Sequence, residues 1–107
     1  MVLPDALTRF FEAEQSGDID VLTSAFCDNA TVRDEGATHR GREQVRRWWL
    51  DAKQKYGHTA RPISVEDDGD ARCVLSTVHG DFPNSPVRLH FRFVLETGKI
   101  LELEIGA

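Results

Sequence analysis

The chain has 107 residues, 40% hydrophobic and 29% charged, with a formal net charge of −5 at pH 7. That length buries about two-thirds of the unfolded surface, so residues 1–107 are expected to form a single domain without staples. The acidic balance argues against a phosphate-backbone partner, which needs clustered Lys and Arg, and no run of about 18 apolar residues is available to span a membrane.

Leu3, Leu7, Phe10 and Phe11 recur at helical spacing and predict a first helix over residues 4–16, with Pro4 at its first position. Gly17 ends it, and Asp18 is a good N-cap for a shorter helix whose inward stripe is Ile19, Leu22 and Phe26. Cys27-Asp28-Asn29 is read as its close. Residues 30–35 read as a short strand and 36–40 as a loop. The third helix is the best defined, because Val45, Trp48, Trp49, Ala52 and Tyr56 form one apolar stripe. Gly57 follows as its C-terminal glycine, with Lys53 and Lys55 in the last turn.

From His58 onward the period changes to two. Ile63 and Val65 alternate in a strand ended by the turn Asp67-Asp68-Gly69-Asp70. Residues 71–80 form the next strand, followed by a Pro-bounded connection over 81–86. In the cleanest strand, Val87, Leu89, Phe91, Phe93 and Leu95 face one way, with Arg88, His90, Arg92 and Glu96 facing the other. A Thr97-Gly98 turn leads to a last strand in which Leu101, Leu103 and Ile105 are read as inward. Pairing Phe93 with Leu103 keeps the apolar residues on one face and sets Arg92 beside Glu104. The order ααβαββββ predicts an α+β fold, with a curved sheet wrapped cone-like around the long third helix and a pocket at its open end.

Asp34 is the residue that most needs explaining. Strand side chains alternate faces, so it points the same way as Val32. An inward carboxylate needs a partner or a purpose. An apolar pocket beside Trp48 would raise its pKa toward neutrality, the condition for proton transfer. A strand-ending turn with Asp34 bonded to backbone is the simpler alternative. Trp48 and Trp49 supply buried area in either case, with Trp48 half open to a cavity. Phe10, Phe26, Leu89 and Phe91 are further wall residues if a pocket exists. His39, His58, His79 and His90 have no metal-ligand spacing and read as surface or loop residues. His79 is the exception, at a strand end where it could reach a cavity mouth. Ser24, Ser76 and Ser85 lack a nucleophile-elbow setting. Cys27 and Cys73 have no partner motif and fit a reducing cytoplasm. No cofactor or metal is expected.

Taken together, Ser16-Gly17-Asp18-Ile19-Asp20, the 26–32 segment Phe-Cys-Asp-Asn-Ala-Thr-Val, Gly41-Arg42-Glu43, Gly80-Asp81-Phe82-Pro83 and Gly98-Lys99-Ile100 carry a resemblance. The chain resembles the nuclear transport factor 2-like superfamily, and within it the small SnoaL-like, polyketide-cyclase-like proteins. The superfamily mixes isomerases, dehydratases and cyclases with non-catalytic binders. Compared with its ketosteroid isomerase branch, the general-base aspartate falls on Asp34, while the two oxyanion donors fall on Phe10 and Leu89. Each lost donor costs roughly 10²–10³ in rate, so efficient ketosteroid isomerisation is not expected. The Asp-Arg-Asp network of the epoxide hydrolases has no clear counterpart.

The resemblance implies a protein with a pocket for a small apolar molecule. One reading is a cofactor-independent isomerase, dehydratase or cyclase with Asp34 moving the proton of a carbonyl compound. The other is a non-catalytic ligand-binding or docking module. Either is expected to be a homodimer, joined through the outer sheet face that carries Arg88, His90, Arg92, Glu102 and Glu104.

Overall fold

The computed structural model describes residues 1–107. Helix α1 (Asp5–Ser16) buries Leu7, Phe10 and Phe11, and Pro4 stands before it as the capping residue rather than inside its first turn. Gly17 adopts φ 77° and turns its N–H onto the Ala13 carbonyl at 2.8 Å. Asp18 caps α2 (Ile19–Ser24), its Oδ1 accepting from the backbone of Asp20 and Val21 at 2.9 and 3.2 Å.

Phe26 is not part of the α2 stripe. It opens strand β1 (Phe26–Asp34), and residues 27–29 extend that strand instead of closing a helix. Pairing overrides local periodicity here. The Ile100 N–H donates to the Ala25 carbonyl, and Phe26 lies opposite Ile100. The expected loop over 36–40 contains a second strand, β2 (Ala37–Arg40), in a hairpin with β1. Ala-Thr-His-Arg carries no apolar alternation, so only its partner reveals it. Its turn, Glu35-Gly36, has φ of 52° and 76°, the doubly positive geometry of a tight two-residue hairpin.

Helix α3 (Gly41–Tyr56) buries Val45, Trp48 and Trp49 and ends at a left-handed Gly57. Strands β3 (Thr59–Asp68) and β4 (Ala71–His79) then pair antiparallel. Asp67 and Asp68 remain in the ladder opposite Arg72 and Ala71, so the turn is shorter than the four acidic and glycine residues suggest. An Arg72–Asp67 ion pair at 2.8 Å holds Asp67 there. Ile63 occupies a bulge between Pro62 and Ser64, which leaves it 43% exposed rather than in step with Val65.

Strands β5 (Val87–Glu96) and β6 (Lys99–Gly106) pair with Phe93 opposite Leu103 and Arg92 opposite Glu104. A second bulge, at Leu101, rephases the start of β6, so Ile100 is buried where Leu101 was expected to be. The sheet order is β2-β1-β6-β5-β4-β3, antiparallel except for the β1–β6 pair. The fold is therefore α+β, a curved mixed sheet around helices, with β2 added to the expected order. Its core is an aromatic cluster in which Phe10 meets Phe11, Phe26, Phe91 and Phe93 edge-on at centroid distances of 5.1–6.2 Å. No helix is long and apolar enough to cross a membrane.

Candidate functional site

A cavity of about 520 Å³ opens between the second half of α3, the β1–β2 hairpin, the 80–86 connection and the inward faces of β4–β6. Asp34 enters it because Val32, two residues earlier on β1, is fully buried and the alternation carries the carboxylate to the same side. Its Oδ2 accepts the indole Nε1–H of Trp48 at 3.0 Å. Burial is the largest effect on this carboxyl and raises its pKa above 3.8, with the neighbouring Glu35 adding to the rise. The Trp48 hydrogen bond and the nearby His58 and His39 pull in the opposite direction without cancelling it.

Around Asp34 the walls are mostly apolar. Trp48, Val78, Leu89, Phe91 and Ile105 face the cavity. Trp48 is only 9% exposed, well short of the half-open position expected of it. At the rim, the Tyr56 hydroxyl donates to Glu35 Oε1 at 3.5 Å and its ring meets Phe82 edge-on at 5.9 Å. The 80–86 connection thus supplies a phenyl ring to the cavity, not a polar group.

Deeper in, a second carboxylate borders the cavity. Glu14 is 2% exposed, and its Oε1 accepts from Trp49 Nε1 at 3.0 Å and lies 3.3 Å from His58 Nε2. Lys53 Nζ stands 3.5 Å from Oε2 and donates to the backbone carbonyls of Glu14 and His58. Sequence reasoning missed this residue, yet the signal was present. Glu14 lies seven residues after Leu7 and four after Phe10, on the inward stripe of α1. The helical period turns Glu14 inward just as strand alternation turns Asp34 inward.

The structure brings Asp34, Trp48, Leu89 and Phe91 together at the cavity. It does not bring Phe10, Phe26 or Trp49 there. These three are fully packed core, and the Trp49 indole is turned onto Glu14. His79 also stands apart. It is exposed at the end of β4, on the face opposite its neighbour Val78, which does line the cavity. The histidines that reach the wall are His39 and His58, both expected at the surface. His39 comes from the unforeseen strand β2, its ring 6.1 Å from that of Trp48. No three His, Cys, Asp or Glu side chains are grouped as metal ligands would be.

A curved mixed sheet closed by helices is the nuclear transport factor 2-like fold. The chain belongs to the SnoaL-like domain family, which it matches over residues 7–103. Among solved structures, a candidate polyketide cyclase from Sinorhizobium meliloti is 41% identical, with a TM-score of 0.92 over 96% of this chain and 94% of that one. A protein with a ketosteroid isomerase-like fold from Catenulispora acidiphila, in complex with trimethylamine, is 18% identical, with a TM-score of 0.85 over 99% and 87% of the two chains. A candidate SnoaL-like polyketide cyclase from Jannaschia sp., also 18% identical, has a TM-score of 0.78 over 94% and 81%. These two likenesses concern the fold. A comparison with curated proteins returns no match.

Proposed function

We propose that this SnoaL-like protein binds a small, largely apolar carbonyl compound in the cavity and moves a proton on it with Asp34. The reaction class is isomerisation, dehydration or cyclisation through an enol-like intermediate, without a cofactor. The observation that carries this reading is the setting of Asp34. Its carboxylate stands among apolar walls, held by one indole donor on Oδ2, with no protein donor on Oδ1. Burial favours its protonated form, which brings its pKa closer to working pH, where a proton acceptor and donor is most effective. The description of the 41% identical protein as a candidate polyketide cyclase supports cyclisation as one member of this class.

The test is to screen carbonyl compounds for proton exchange or rearrangement and to repeat the reaction with Asp34→Asn. A general acid–base group contributes roughly 10²–10⁴ in rate, so the variant should lose that much while still binding the compound. An NMR titration placing the Asp34 carboxyl at or below about 4 would remove the basis of this reading.

The second reading, a homodimeric docking or binding module, is favoured by the bare outer side of the sheet. Arg88, His90 and Arg92 point outward from β5 there, beside Glu104 and the half-buried Glu102 of β6, and no helix covers them. We propose that two copies join through this face, with ligand binding and dimerisation compatible in one molecule. Sedimentation equilibrium should give twice the chain mass, and Arg88→Glu combined with Arg92→Glu should return the monomer. The free cysteines Cys27 and Cys73, on separate strands, support a reducing cytoplasmic setting.

A further inference from the structure

We propose that His39, on strand β2, is a second catalytic residue of the cavity. Its imidazole N–H donates to the carbonyl oxygen of the substrate and steadies the enolate that forms when Asp34 removes a proton. This rests on the carbonyl-site reading given above. The chemistry requires such a donor, since removing a proton beside a carbonyl places charge on its oxygen. The apolar walls at Val78, Phe82, Leu89, Phe91 and Ile105 offer none.

The other side-chain donors bordering the cavity are already engaged or turned to solvent. The Trp48 indole N–H is spent on Asp34 Oδ2. The His58 ring meets Glu14 through Nε2 at 3.3 Å, and its Nδ1 is sealed from open space. The Tyr56 hydroxyl is turned to Glu35 at the rim, 3.5 Å away, and Lys55 is exposed. His39 differs on each count. It is half-buried, lines the cavity and has neither ring nitrogen hydrogen-bonded within the protein. A neutral imidazole carries one N–H in either tautomer, so the donor exists without further protonation of the ring.

The β1–β2 register supplies the position. Val32 pairs with His39 and Asp34 with Ala37, so His39 and Asp34 are diagonal neighbours on one face of the hairpin. Such neighbours stand about 7–8 Å apart, which lets two side chains hold one small molecule between them. Trp48 braces both. Its N–H holds Asp34, and its ring lies against the imidazole with centroids 6.1 Å apart and planes inclined by 37°.

The step balances with no change in the protonation of His39. Asp34 takes a proton from the carbon beside the carbonyl, and the C–H electron pair forms a carbon–carbon double bond. The carbonyl π pair moves to oxygen, where the imidazole N–H meets the growing charge and keeps its own proton. Return of the Asp34 proton to the same carbon gives proton exchange. Its return to another carbon of a conjugated enolate gives isomerisation, with no net oxidation in either case.

The test pairs 2-naphthol, whose hydroxyl stands in for an enol oxygen, with naphthalene, which has the same rings and no hydroxyl. Protein labelled with ¹⁵N at histidine and tryptophan is titrated with each. Both are expected to shift the Trp48 Nε1 resonance. Only 2-naphthol should move a His39 ring nitrogen beyond the ring-current change that naphthalene gives. It should also bind about tenfold tighter, the equivalent of about 1.4 kcal/mol. His39→Phe, which keeps a ring beside Trp48, should erase that tenfold and leave naphthalene binding unchanged, whereas a merely structural role would weaken both ligands alike. Tyr56→Phe should preserve the tenfold. Binding of 2-naphthol that leaves the His39 nitrogens where naphthalene does, or a tenfold that survives His39→Phe, would overturn the inference and spare the cavity reading. No shift at Trp48 with either ligand would overturn both. The spectra of the unmutated protein decide these outcomes even if a variant fails to fold.

Discussion

The two ends of the interior use the same inward-facing pattern and finish differently. At one end Phe10 is enclosed by Phe11, Phe26, Phe91 and Phe93, and of that cluster Phe91 alone lines the cavity. At the other, Trp48, Leu89 and Ile105 are just as apolar but face a cavity of about 520 Å³. The difference lies in what closes each end. Helix α1 lies on the sheet and fills the first. At the second, the last turn of α3, the β1–β2 hairpin and the 80–86 connection stand around a space that no side chain of the protein fills. The two inward carboxylates repeat the contrast. Glu14 has an indole, an imidazole and an ammonium around it, whereas Asp34 has a single indole. A buried charge with a full set of partners is part of the frame, and the proposed chemistry falls to the one with a single partner.

Substitutions on either side of this contrast should separate frame from site. The largest effect is expected from Phe10→Ala, which leaves a phenyl-sized hole in the filled end and should cost about 4 kcal/mol in urea unfolding. A loss below about 1 kcal/mol would mean that this end is not closely packed. Glu14→Ala should follow at about 3 kcal/mol, because the Trp49 indole N–H and the Lys53 ammonium lose their buried acceptor. Trp48→Phe should cost only about 1 kcal/mol in stability, as the loss of one partly wet hydrogen bond. It should also push the Asp34 carboxyl further up, since the indole bond now holds it down, a change that carboxyl NMR would follow.

The smallest effect is one of pH. A carboxyl whose folded pKa lies above its unfolded value binds its proton more tightly in the folded state. Its contribution to stability is fully present below 3.8 and is lost as pH rises through the raised folded value. The protein should therefore lose stability across that window, and Asp34→Asn should remove this part of the pH dependence. An unchanged profile in Asp34→Asn would show that Asp34 is solvated.

Much of this architecture is legible in the amino-acid sequence. The α3 stripe from Val45 to Tyr56, the Gly57 stop, the Phe93–Leu103 register and the inward turn of Asp34 all follow from side-chain periodicity over a few residues. What stayed hidden depended on pairing. Strand β2 exists because β1 offers it a ladder, and the bulges at Ile63 and Leu101 shift the phase of their strands. Alternation in the sequence cannot show where a phase breaks, because a bulge is a property of two strands and not of one.

Where no bulge intervenes, which side chains face inward, Asp34 and Glu14 included, is set by local sequence, since period and propensity act over a turn or a few residues. Which of them meet a cavity and which are packed away is settled by the assembled fold. Glu14 and His58 are 44 positions apart, and Asp34 and Trp48 are 14 apart. Their contacts arise from the curvature of the sheet and the placing of α1 and α3 on it. Those are set by the packing of the whole core rather than by any local run of residues.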